Sequence, residues 1–191
     1  MGNAIVRPAV SSDAEAFAQI YNGYIRESTI TFEVEPVAGS EFERRMAKAL
    51  LWFALEVEGE VCGYAYATPY HPRAAYRHTV EISIYIEASV CGKGYGRRLY
   101  EALFKAMESR NIHVAIAGIA LPNAESVALH EGFGMEKVAH FKEVGRKFGR
   151  WIDVGHWQTF IVRSGVAPKG EFPTDEISRS RAQPLGFEAS P

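Results

Sequence analysis

The stretch T-V-E-I-S-I-Y-I at 79–86, followed by C-G-K-G-Y-G at 91–96 and R-R-L-Y-E-A-L-F-K-A-M at 97–107, decides the fold. Strand alternation puts Val80, Ile82, Ile84 and Ile86 on one face and Glu81, Ser83 and Tyr85 on the other. Leu99, Leu103 and Met107 then recur at helical spacing, and Asn111 is a suitable C-cap. The apolar run at 112–120 reads as a returning strand. The segment is therefore a strand–helix–strand unit opened by a glycine-rich loop.

Toward the N-terminus, apolar runs at 51–57 and 60–68 flank Glu58-Gly59 and predict a hairpin. A short strand is expected at 4–7. A helix is expected at 12–24, with Ser11 or Ser12 as N-cap and Phe17, Ile20, Tyr21 and Tyr24 on one face. Ser40 and Glu43 read as a capping box for a second helix carrying Phe42, Met46 and Leu50. Between these helices, Ile25 to Gly39 has no period, and connections of that length are often functional.

Toward the C-terminus, Asn123 should cap a short helix, and segments 135–143 and 152–162 should close the sheet as an antiparallel pair. Strands outnumber helices, and hairpins coexist with a strand–helix–strand unit. That predicts an α/β (α+β) domain, a mixed sheet with helices packed on it, spanning 3–163. The segment 164–191 is rich in Pro, Gly and Ser, lacks an apolar period, and is expected to be a tail adding little core.

The chain has 191 residues, 47% hydrophobic and 23% charged, which is the composition of a globular domain. Lys plus Arg is 21 and Asp plus Glu 23, so no global field favours nucleic acid or an anionic membrane. No apolar run reaches the ~18 residues of a membrane span. No signal-peptide pattern opens the sequence. Two cysteines, Cys62 and Cys91, make no disulfide framework, and a reducing cytoplasm is expected. The six histidines have no metal-ligand spacing, so no metal is expected.

Four segments carry candidate chemistry. In the loop Cys91-Gly92-Lys93-Gly94-Tyr95-Gly96, the glycines let backbone N–H groups approach a ligand at a helix start, which suits a pyrophosphate. The alternative is a plain flexible connection. Glu81 interrupts an apolar strand and lies either on a wet face or in a cleft; in a cleft, desolvation would raise its pKa and make it a general base. The segment Y-H-P-R-A-A-Y-R-H at 70–78 is a solvated loop or a cationic, aromatic-lined cradle for a small acid. In L-P-N-A-E-S-V-A-L-H at 121–130, Asn123 and Ser126 occupy N-cap and N3, and His130 follows one turn later as a packed residue or a catalyst.

Taken in this order, the segments resemble the GNAT acyltransferases, and within them the phosphinothricin N-acetyltransferase family. The resemblance runs from about Ala4 to Val162 and includes Y-I-R-E-S-T-I-T-F-E-V-E-P at 24–36 and V-G-R-K-F-G-R-W-I-D-V-G-H-W-Q at 144–158. It implies a GNAT fold: a mostly antiparallel twisted sheet flanked by helices, with a splayed central strand pair. It also implies an acetyl-CoA cosubstrate and a homodimer. Glu81 then matches the family's base, residues 91–96 its pyrophosphate loop, and Ile84, Tyr85 and Ile86 the strand beside pantetheine. Asn123, with Ser126 near it, matches the asparagine that bonds the pantetheine arm. His130 takes the place where many GNAT enzymes carry a tyrosine acid. Phe32, Arg73 and Tyr76 match pocket-lining positions, with His71 and Val80 beside them.

The chemistry is coherent with those residues. Only a neutral amine attacks a thioester, and Glu81 can remove the proton. Arg73 can orient the carboxylate of a small acidic or oxidised amino acid of the phosphinothricin, methionine sulfoximine or methionine sulfone type. The alternatives are acetylation of another amine, such as a protein N-terminus or an antibiotic, and a catalytically silent acyl-CoA sensor.

Overall fold

Period-2 and period-3.6 patterning becomes seven strands and four α-helices across residues 4–161, which are the residues described by the computed structural model. In chain order these are β1 (Ala4–Pro8), α1 (Ala14–Glu27), α2 (Gly39–Lys48), β2 (Leu51–Val57), β3 (Glu60–Pro69) and β4 (Thr79–Ile86). Then come α3 (Tyr95–Ser109), β5 (Val114–Leu121), α4 (Ala124–Glu131), β6 (Glu136–Lys147) and β7 (Arg150–Phe160). The expected tail, 164–191, lies outside the described residues.

The strands form one sheet in the order β1-β2-β3-β4-β5-β7-β6. All neighbours are antiparallel except β4 and β5. Those two pair in parallel only where Thr79–Glu81 meets Val114–Ile116. Beyond Glu81 they part, because each is held from its far side: Val80 to Ile86 by β3, and Val114 to Leu121 by β7. The result is the splayed central pair that the resemblance implied, with a cleft between the diverging halves.

Each sheet face has its own core. Leu99, Tyr100, Leu103 and Met107 of α3 are fully buried against Val80, Ile82, Ala115 and Ala117. On the other face Phe17 and Tyr21 of α1 and Phe42 of α2 pack with Trp52 and Tyr64. Burying one such side chain contributes about 1.5–3 kcal/mol, so the two helical layers fix the sheet from both sides. Glu81, Ser83 and Tyr85 project toward the α1/α2 side, opposite Val80 and Ile82, as strand alternation requires.

Three local expectations need correction. Ser11 and Ser12 lie in a short 3-10 turn, and the N-cap of α1 is Asp13, whose carboxylate is occupied by Arg7 at 2.8 Å and by the Val10 N–H. The Ser40–Glu43 box does not form, because α2 begins two residues earlier, at Gly39 with Ala38 as N-cap. The backbone of Gly39 is pressed onto Glu15 of α1, and that contact sets the start of the helix. The closing hairpin is longer than its apolar segments suggested. Its register shifts between Phe141 and Gly145, which breaks the alternation, and its turn is made by Phe148 and Gly149, both at positive φ.

Candidate active site

Glu81 is the last residue of β4 paired to β5, so it stands at the vertex where the two strands part. Its side chain is exposed to the cleft. With Ser83 and Tyr85 it lines a cavity of about 280 Å³. Gly118 and Ala120 of β5 and His156 of β7 form one wall, and Ile30, Thr31 and Phe32 from the loop after α1 form another.

That long loop is clamped at several points. Asn22 bonds both the N–H and the carbonyl of Val37 at 2.9 Å. Arg45 pairs with Glu33 at 2.8 Å. The buried Lys147 donates from Nζ to the Thr31 carbonyl at 2.8 Å, and burial pushes its ammonium pKa down. Phe32 lies against the backbone of Gly145 in β6. On the strand side, Tyr85 is packed edge-on to Tyr21 and Tyr24 at 5.0 and 5.3 Å. Burial raises its phenol well above the usual value, so it stays neutral. The walls of this cavity are therefore preorganised.

A second cavity of about 400 Å³ follows Ile84 and Ile86 to the loop at 90–97 and the start of α4. Cys91, Gly92, Gly94, Tyr95 and Gly96 line it, whereas Lys93 belongs to the loop without lining it. Gly94 is the N-cap of α3 at φ 80°, a left-handed conformation that favours glycine. A glycine brings no side chain to cap the helix, so the first N–H groups of α3 remain for a ligand. Partial burial raises the pKa of the Cys91 thiol, which argues against a nucleophilic role. Asn123 Oδ1 accepts from the Ser126 N–H at 3.1 Å, so the capping expectation holds. Asn123 and Ser126 also line both this cavity and a small one of about 50 Å³ at the junction. Capping and ligand contact are compatible, because the cap uses only the amide oxygen of Asn123.

The other expected residues fall elsewhere. His130 is an exception: it is buried, with Nδ1 2.7 Å from the Ser126 carbonyl and Nε2 2.8 Å from the Tyr100 hydroxyl, yet it borders the small junction cavity beside Asn123 and Ser126. Burial depresses its pKa. Val80 is fully buried among core residues, on the strand face opposite Glu81, so its side chain does not reach the cleft. His71, Arg73 and Tyr76 stay together in the β3–β4 connection, where the His71 and Tyr76 rings pack at 5.0 Å. That connection enters β4 two residues before Glu81, yet none of the three lines either cavity.

Residues 6–156 match the acetyltransferase (GNAT) domain. The chain belongs to the GNAT acetyltransferase family. A phosphinothricin N-acetyltransferase of Streptomyces coelicolor is 39% identical over 80% of this chain and 94% of its own length. An L-methionine sulfoximine/L-methionine sulfone acetyltransferase of Pseudomonas paraeruginosa is 33% identical over 87% of this chain and 99% of its own. The crystal structure of a GNAT superfamily phosphinothricin acetyltransferase from Sinorhizobium meliloti in complex with acetyl-CoA superposes with a TM-score of 0.84. It is 31% identical and covers 89% of this chain and 96% of that one. This GNAT protein is thus an acyltransferase of the phosphinothricin N-acetyltransferase type, as the motifs implied.

Among the lining residues of this GNAT cleft that sequence reasoning did not assign to the site are Ile30, Gly118 and His156. Gly118 had a signal, since an isolated glycine within a strand often marks a close approach. His156 lies within the quoted motif at 144–158, but only the β5–β7 register brings it to Glu81's side.

Proposed function

We propose that this protein moves an acetyl group from acetyl-CoA to the α-amine of a small acidic or oxidised amino acid, by direct attack with Glu81 as general base. The observation that carries this reading is the position of Glu81 at the vertex of a cleft whose far end is the glycine loop at 91–96. Those two ends suit, respectively, the reacting amine and the pyrophosphate of the donor. Ile84 and Ile86 would flank the pantetheine arm, with the Asn123 amide beside it. The unpaired inner edges of β4 and β5 supply backbone N–H groups that can polarise the thioester carbonyl. A proton leaves the ammonium for Glu81, the freed amine attacks the carbonyl carbon, and the CoA thiolate departs.

Relatives named for phosphinothricin and for methionine sulfoximine and sulfone support this acceptor class. Arg73 is the proposed partner of the acceptor carboxylate, from the β3–β4 connection that leads into β4 two residues before Glu81. A homodimer is also proposed: Phe141, Val144, Phe148 and Trp151 of the β6–β7 hairpin are exposed apolar side chains beside an unpaired sheet edge. Free thiols at Cys62 and Cys91 support a reducing compartment, and the cytoplasm is the proposed one.

The test is thiol release from acetyl-CoA with phosphinothricin, methionine sulfoximine, methionine sulfone, an alanine-initiated peptide and an aminoglycoside. Turnover confined to the amino acids is expected. Turnover of the peptide or the aminoglycoside alone would assign another amine, and binding of acetyl-CoA without any turnover would assign a sensor.

A further inference from the structure

Gly118 on β5 stands opposite His156 on β7, while Glu81 faces the same spot from across the parting of β4 and β5. With no side chain at 118, both groups lean over its Cα. A Cβ placed there would lie 3.2 Å from Nε2 of His156 and 3.8 Å from Oε1 of Glu81. No hydrogen bond or ion pair joins the two side chains, so a gap separates them. His156 is half-buried, Phe141 packs edge-on against its ring at 5.3 Å, and its Nε2 is the ring nitrogen nearest Gly118. The gap opens into the cavity walled by Thr31 and Phe32.

Two acceptors converging on one spot match a group that carries several N–H donors, and an ammonium carries three. One acceptor fixes a single N–H direction. A second removes most of the remaining rotation, and attack on a carbonyl depends on that orientation. We infer that His156, through Nε2, is the second acceptor for the substrate amine and holds it above Gly118 while Glu81 takes the proton. This rests on the reading of Glu81 as base.

The step balances without an added reactant. The ammonium gives one proton to Glu81, and the nitrogen lone pair forms the new C–N bond as the C–S bond breaks. A second N–H proton then passes to the departing thiolate. Throughout, another N–H stays directed at His156, so the ring steers the amine.

The experiment measures kcat and KM for methionine sulfone and for acetyl-CoA in wild type, H156F, H156Q, G118A and E81Q. Phe keeps the ring packing on Phe141 but removes the acceptor; Gln restores an acceptor. H156F should raise the methionine sulfone KM about tenfold, the usual weight of one lost hydrogen bond in a closed site, with the acetyl-CoA KM within about twofold. H156Q should recover part of that loss. G118A fills the gap and should prevent acceptor binding while leaving the acetyl-CoA KM unchanged. Wild-type acceptor kinetics in H156F and G118A, beside a crippled E81Q, would overturn the role of His156 and leave the base in place. An E81Q enzyme as fast as wild type, or a wild type that releases no thiol with this acceptor, would instead remove the proposed function itself.

Discussion

The Tyr100 hydroxyl donates to Nε2 of His130 at 2.8 Å, and Nδ1 of the same ring donates to the Ser126 carbonyl at 2.7 Å. A carbonyl only accepts, so Nδ1 carries a hydrogen, and burial favours the neutral ring, in which Nε2 accepts from the Tyr100 hydroxyl. Burial depresses the imidazole pKa in the same direction. Nδ1 is thereby tied within α4, and Nε2 joins α4 to α3.

A pH-dependent stability follows. The unfolded chain's histidine takes up its proton near pH 6.5, whereas the folded ring resists it, so acid favours unfolding. His130 therefore contributes full stability above about pH 6.5, and the contribution falls as pH drops toward the depressed folded value. His130→Gln should cost about 1–3 kcal/mol by leaving the Tyr100 hydroxyl poorly paired, and should show a flatter loss below about pH 6.5. Denaturant melts across that range check it. An unchanged slope in the variant would return the proton to another group.

Gly145→Ala tests how the acceptor wall is held. The new Cβ would collide with the Phe32 ring, whose Cδ2 would lie only 2.8 Å away, and Phe32 would have to leave its place. Overpacking of this kind costs typically 1–3 kcal/mol. The acceptor KM should rise about tenfold, since 1.4 kcal/mol is a factor of ten. The acetyl-CoA KM should stay near wild type, because Phe32 lines only the acceptor side. Equal effects on both substrates would mean that the hairpin, not Phe32, had moved.

What the sequence made legible was local. Alternation along 79–86 placed Glu81, Ser83 and Tyr85 on one face, and all three line one cavity. Asn123 was readable as a cap because its partner is only three residues away. The unreadable parts depend on distant chain. Ser40 failed as a cap because α1 fixes the start of α2 through Gly39 and Glu15. His156 reaches the Glu81 spot only through its pairing with Gly118, a register that neither strand encodes alone. The cationic run at 70–78 was visible as composition, but composition does not give its position, and Arg73 lines neither cavity.

Gly94→Val probes the donor end. At φ 80° a β-branched residue is strained by roughly 1–2 kcal/mol, so some loss of stability is expected. Among the described residues, chain neighbours apart, no atom lies within 4 Å of the added Cβ, so the side chain would enter space bordering the 91–96 cavity. The acetyl-CoA KM should rise at least about tenfold, with the acceptor KM less affected. A folded variant with normal acetyl-CoA kinetics would remove the phosphate-loop assignment.

Glu81→Gln isolates the base. The substitution keeps size and cleft position but cannot accept the ammonium proton, so kcat at neutral pH should fall by about 10²–10⁴-fold. Because the side chain is exposed at the strand vertex and makes no side-chain hydrogen bond among the described residues, the fold should tolerate the change. The pH response gives the decisive sign. An α-amine loses its proton to solvent as pH rises, so the variant should regain activity steadily above about pH 8, where the free amine needs no base. Wild type, with the base in place, should be nearly flat over the same interval. A variant slowed equally at every pH would leave Glu81 as a binding group, with the proton leaving by another route.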